Sequence, residues 1–269
     1  AEDGIRDRDV TGVQTCALPI FDDGPPLFDL GAHLFAEGFR AAADHDVAFG
    51  TRFFRDLRCS DHLHQGGFNK FEKLVFVSNW QMQNYIKHYG IPWYKCRVIQ
   101  NAIEPIYAKT KPTDKIKIIY HTTPHRGLNI LVSAFIGLAE KYKNIELDVF
   151  SSFEIYGWKD RDEPFEKLFQ LCKDHPQINY HGFQPNNVVR EALSQAHIFA
   201  YPSIWLETSC IAMIEAMSAG CLCIHPNYGA LYETASNFTW MYQYREDIRD
   251  HMSAFQQTLE LAINTFDPL

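Results

Sequence analysis

At 269 residues, with 25 Lys and Arg against 33 Asp and Glu, the chain is long enough for one large domain or two modest ones. Its formal charge of −8 argues against nucleic acid as the main partner. Seven cysteines, an odd number without paired metal-ligand spacing, point to reduced thiols in a cytoplasmic protein. No apolar run reaches the length of a transmembrane helix, so any membrane contact is expected to be peripheral.

Residues 1–20, AEDGIRDRDVTGVQTCALPI, resemble the conceptual translation of a sequencing-library adapter. They are set aside as an artefact, which places the natural N-terminus outside the chain. Residues 21–67 contain no Lys, Asn, Ile or Tyr, whereas every Lys lies at or beyond Lys70. That shift marks a boundary and leaves 21–67 unassigned, either foreign or part of the first domain. Phe28–Phe39 fits an amphipathic helix, with Phe35 and Phe39 at i,i+4 spacing. His62 and His64 lack a third ligand nearby and read as a polar loop; no metal site is expected.

From Lys73 the pattern alternates strand and helix. Lys73–Val77 reads as a buried strand, Ser78 or Asn79 as the cap of a helix Trp80–Tyr89, and Cys96–Ile99 as the next strand. Pro105, Pro112 and a short polar run make 104–115 a linker. Ile116–Tyr120 is a strand. His121–Gly127 is a Gly-containing loop, and Leu128–Tyr142 is a helix with Leu128, Leu131, Val132 and Phe135 on one face. A strand, such a loop and a helix N-terminus make a phosphate site, and the planar fork of Arg126 suits a diphosphate. His121 and His125 in the same loop are neutral by default at pH 7. Glu146–Phe150 is a strand, Pro164–Lys173 a helix, Ile178–Phe183 a strand and turn, Val188–Gln195 a helix, and Tyr244–Phe266 a charged terminal helix.

The stretch around which the rest is arranged is Phe199–Thr234, FAYPSIWLETSCIAMIEAMSAGCLCIHPNYGALYET. A short apolar strand ends at Pro202. Thr208 and Ser209 are N-cap residue types, Ile211, Ile214 and Met217 have helical spacing, and Gly220 suits the helix end. A strand Cys221–His225 and a turn at Asn227–Gly229 follow. Eight residues separate Glu207 from Glu215, which on a helix sets them about 80° apart around the axis. Glu207 then flanks the positive helix mouth and Glu215 lies deeper, where it can accept hydrogen bonds from a vicinal diol. The plainer alternative is a dipole-complementing Glu207 and a solvated Glu215.

With its aromatic-Pro run, E-x7-E pair and following G-A-x-x-E-T, this stretch resembles the donor-site signature of family 4 glycosyltransferases of the GT-B superfamily. Upstream, the V-S-x-W strand and helix and the V-I-x-N-A-I run ending at Ile103 resemble the last βαβ unit of that family's acceptor-side domain. The resemblance starts near Phe71. It implies an α/β, GT-B type fold with a Rossmann-like donor domain over 116–269, a linker over 104–115, and only a remnant of the first Rossmann-like domain at 68–103.

The resemblance also implies site roles. Glu215 matches the residue that contacts the nucleotide ribose, Glu207 the one beside the transferred sugar, and the amides of Thr208, Ser209, Cys210 and Ile211 the donors to sugar and phosphate. Arg126 and Gly127 match the cation-Gly pair of the first loop, although Tyr120-His121 stands where the family more often has Gly-Arg. The Phe183–Val188 loop matches the nucleobase contact. Asp160-Arg161-Asp162 looks like the D-x-D metal motif of a different superfamily and is read as solvated. The implied activity is retaining transfer of a sugar from a nucleotide-diphosphate-sugar to an acceptor hydroxyl in glycan or cell-surface polysaccharide synthesis. The acceptor is left open among a glycan, a lipid-linked species and a protein, no cofactor is needed, and Glu207 and Arg126 are the catalytic candidates. The alternatives are a nucleotide-sugar-binding fragment without turnover and a GT-B-type epimerase; a dinucleotide dehydrogenase is disfavoured because no G-x-G-x-x-G follows any strand.

Overall fold

A computed structural model describes residues 68, 69 and 71–266. The adapter-like segment, the unassigned 21–67 stretch, the Phe28–Phe39 helix and the His62/His64 pair lie outside the described residues.

The first unit joins two short apolar strands, β1 (Leu74–Phe76) and β2 (Cys96–Val98), in parallel, with Leu74 opposite Cys96. Parallel neighbours need a crossover, here the helix α1 (Asn79–Tyr89), which packs Tyr85 against Phe76, Ile91 and Cys96. Ser78 caps α1 by accepting from the Gln81 amide at 3.0 Å.

The second unit alternates β3 (Ile116–Tyr120), α2 (Leu128–Lys141), β4 (Ile145–Val149), α3 (Glu166–Asp174), β5 (Ile178–Tyr180), α4 (Asn186–Gln195) and β6 (Ile198–Ala200), then α5 (Ile211–Ser218), β7 (Leu222–Pro226), α6 (Leu231–Ala235), β8 (Trp240–Tyr242) and α7 (Ile248–Phe266). Its six strands form one parallel sheet in the order β5-β4-β3-β6-β7-β8. The central strands are buried on both faces, which is why Ile118, Ile119, Tyr120 and Phe199 read as uninterrupted apolar runs. Leu128, Leu131, Val132 and Phe135 are all fully buried, the periodic face of α2.

Three readings of the sequence change here. The Pro164–Lys173 segment opens as a 3-10 turn, Lys159–Phe165, and becomes α-helical only at Glu166. Asp162 is not simply solvated: its carboxylate accepts from Ser152 Oγ (2.5 Å) and the Phe153 amide (2.8 Å), closing the loop after β4. The terminal helix starts at Ile248, four residues late, because Tyr244 stacks on Tyr228 at 3.9 Å. It buries Phe255, Leu259, Ala262 and Ile263 in the core of this same unit and lies along α2.

Residues 99–115 carry no regular secondary structure but are fastened down. The Ile106 amide donates to Ser218 Oγ (2.8 Å), Lys109 N to Ser194 O (2.9 Å), and Arg190 Nη2 to the carbonyls of Glu104 and Pro105 (3.0 Å each). Among the described residues no helix is long and apolar enough to cross a membrane.

Candidate functional site

In the six-stranded sheet the chain runs outward from β3 to β5 and returns to β6 on the other side of β3. The crevice at the carboxyl ends of β3 and β6 is therefore the topological switch point, where open α/β sheets bind ligands. Arg126 and Glu207 lie in the two loops that leave those ends.

The loops touch at one glycine. Gly127 has φ 115°, and a Cβ there would stand 2.2 Å from the Pro202 carbonyl oxygen. This close approach brings Arg126 Nη1 to 2.5 Å from Glu207 Oε1, with both residues at or below 1% exposure. The Tyr201 hydroxyl donates to the same Oε1 at 2.5 Å, and the guanidinium lies 5.7 Å from the Trp205 ring centroid. Glu207 Oε2 has no hydrogen-bond partner in the protein. Burial pushes the Glu207 carboxyl above its ordinary value, while Arg126 and Tyr201 pull it back down.

The backbone of Glu207 is held by the G-A-x-x-E-T turn. Gly229, φ 60°, lies so close that a Cβ would be 2.6 Å from the Glu207 carbonyl oxygen. The Ala230 amide donates to that oxygen at 2.7 Å, and Thr234 Oγ1 accepts from the Cys210 amide at 3.5 Å. The helix α5 thus begins only at Ile211, with Cys210 at the cap position and no side-chain cap. Neither Thr208 nor Ser209 takes that position; Ser209 Oγ instead accepts from Asn101 Nδ2 at 3.0 Å. Glu207 also lies outside the helix, so the two glutamates do not share a helix face. Each instead meets the loop after β3, Glu207 at Arg126 and Glu215 at His121.

Glu215 is 1% exposed. Its Oε2 lies 3.6 Å from His121 Nε2 and its Oε1 3.8 Å from Arg190 Nη1, yet Oε2 and both His121 ring nitrogens lack hydrogen-bond partners. Thr122 Oγ1, Thr123 Oγ1, Ser151 Oγ and Asn186 Oδ1 share that condition. Buried polar atoms are almost always satisfied, so this cluster beyond the carboxyl ends of β3 and β4 is a candidate site for a polar ligand. Beside them opens a shallow cleft lined by His121, Thr122, Phe150, Phe183 and Asn186. Val188, expected at the nucleobase, is exposed and is not among the residues lining the cleft. The helix α4 starts at Asn186, and helical spacing brings Val189 onto the cleft with Asn186.

Tyr201 gained a role only here, and His121 and Asn101, read in the sequence as a loop histidine and part of the V-I-x-N-A-I run, gained their partners Glu215 and Ser209. His121 and Tyr201 stand at matching places, directly following the C-terminal ends of β3 and β6, the one signal that could have singled them out.

His125 stacks on Phe153 at 5.1 Å and meets Trp205 edge-on. Burial, with Arg126 and Arg161 nearby, pushes its imidazole from 6.5 down to about 3. Between those values the unfolded chain holds a proton that the folded chain does not, so stability falls as pH drops through that window. Urea unfolding at pH 5 is expected to show stability lower than at pH 7 by on the order of 1–2 kcal/mol for this group. The His125→Phe variant should lose that part of the difference; an unchanged pH dependence would contradict the assignment.

Residues 101–252 match the family model described as glycosyl transferases group 1. The chain belongs to this family. A phosphatidylinositol N-acetylglucosaminyltransferase component from Arabidopsis thaliana is 25% identical over 168 residues, covering 60% of this chain and 36% of that protein. The chain therefore spans about a third of that relative's length. Sucrose-phosphate synthase from Thermosynechococcus elongatus superposes with a TM-score of 0.58 at 16% identity over 80% of this chain and 56% of that one. Anabaena HepE, whose crystal structure is a complex with UDP-glucose, gives 0.53 at 15% identity over 79% of this chain and 66% of that one. The α/β architecture of this glycosyl transferases group 1 chain is that of the GT-B glycosyltransferases.

Proposed function

We propose that the chain carries the donor half of a family 4, retaining glycosyltransferase that moves a sugar from a nucleotide-diphosphate-sugar to an acceptor hydroxyl. The observation that carries this reading is the buried Arg126–Glu207 contact at the switch point, with Glu207 Oε2 left over for a ligand. Breaking the glycosyl–phosphate bond builds negative charge on the departing diphosphate. Arg126, together with the positive end of α5, would stabilise that charge. Glu207 would present Oε2 to a sugar hydroxyl while Arg126 and Tyr201 hold Oε1. Glu215 and His121, facing each other across 3.6 Å, would share the ribose hydroxyls, one accepting and the other donating. Phe183, 39% exposed at the cleft rim, would cover the base. The acceptor oxygen bonds to the anomeric carbon on the face the diphosphate leaves, and its proton passes to the departing phosphate oxygen. A cytoplasmic location goes with this reading, on the strength of the reduced cysteines.

Titration calorimetry of the 269-residue chain with UDP and GDP tests it. At least one is expected to bind, and Glu215→Gln and His121→Phe should each weaken it about tenfold, the value of one buried hydrogen bond to a charged or polar group. No binding of either nucleotide, or unchanged affinity in both variants, would overturn the assignment.

A further inference from the structure

The G-A-x-x-E-T turn has two sides. Its near side grips the donor loop, through Gly229 and Ala230 against Glu207 and through Thr234 against Cys210. Its far side reaches the first unit. Glu233 Oε1 accepts from the Asn79 amide and from Asn79 Nδ2, both at 2.8 Å, and its Oε2 accepts from the Trp80 amide at 2.8 Å. Ser78 takes the Gln81 amide. The first three amides of α1 are thus each claimed by a side chain, two of them by a carboxylate more than 150 residues further along the chain. The first turn of α1 holds no acidic residue of its own, so Glu233 is the negative charge at that positive helix end. The Asn101–Ser209 contact ties the segment after β2 to the same donor loop.

We propose that Glu233 is a positioning residue that couples the seating of the first unit to the register of Glu207. With α1 in place, three hydrogen bonds hold Glu233. The five-residue helix α6 is then anchored, and the turn presses on the Glu207 backbone from behind. When α1 moves off, the carboxylate loses all three partners and that support slackens. The consequence rests on the donor reading above: the carboxylate that orients the sugar is set only while the acceptor-side wall stands, which restrains wasteful transfer to water.

Amide hydrogen exchange on the whole chain tests the coupling without any ligand. Glu233→Gln should speed exchange at the Asn79 and Trp80 amides and also across 207–210, each by about tenfold, as for loss of a helix cap. Asn79→Ala, on the other unit and far from Glu207, should speed exchange at 207–210 in the same sense, and the double variant should add little. Faster exchange confined to Asn79–Gln81, with 207–210 unmoved in both variants, would reduce Glu233 to a plain helix cap and overturn the proposal; so would no change at either place. Failure of UDP and GDP to bind the wild type would remove the donor reading and leave the exchange result standing.

Discussion

Arg126→Ala is expected to cost the chain about 3–5 kcal/mol, because it leaves the Glu207 carboxylate buried without its cation. Glu207 is 0% exposed, so bulk solvent screens it little, and the Tyr201 hydroxyl is the protein partner that remains at Oε1. The cost comes from stranding a charge and does not measure what the pair contributes. A double-mutant cycle separates the two: Arg126→Ala/Glu207→Gln removes both charges while keeping an acceptor for Tyr201. The double variant should be more stable than Arg126→Ala alone, by urea unfolding at pH 7. Simple additivity, or an Arg126→Ala loss under about 1 kcal/mol, would show that the pair is not desolvated as described. The folded double variant should also bind UDP at least about tenfold more weakly, the loss of one charge-assisted contact to phosphate.

Gly127→Ala should be the most damaging small substitution at the site, at more than about 4 kcal/mol or with no soluble protein at all. A methyl there meets the Pro202 carbonyl oxygen at 2.2 Å, and both partners are backbone, so no side chain can swing aside. Relief requires the β3 and β6 loops to part, which would separate Arg126 from Glu207. Gly157→Ala is the matching control: φ is 74° but nothing lies within 4 Å, so only the left-handed strain of about 1–2 kcal/mol applies. Equal losses in the two variants would mean that loop contact does not set the site geometry.

Much of the fold was legible because its signals are local. Within β3 the residues Ile118–Tyr120 form an apolar, fully buried run, and α2 repeats its apolar face at helical spacing. Boundaries slipped where a distant contact intervened. Tyr244 leaves the terminal helix for Tyr228, and Ser209 gives up the cap position for Asn101, 108 residues earlier.

By itself the sequence determined the alternation of strand and helix and the residue types available at each strand end: a cation and glycine after β3, a carboxylate after β6, a second carboxylate on the next helix. These follow from periodicity and composition, which act over a few residues. Only the tertiary structure decided that Glu207 meets Arg126, that Glu215 faces His121, and that Glu233 closes on α1. The first two pairings span about 80 to 94 residues and exist because the parallel sheet reverses its winding between β3 and β6; the third spans 154 and joins the two units. No local pattern encodes that reversal; burying the two faces of one continuous sheet does.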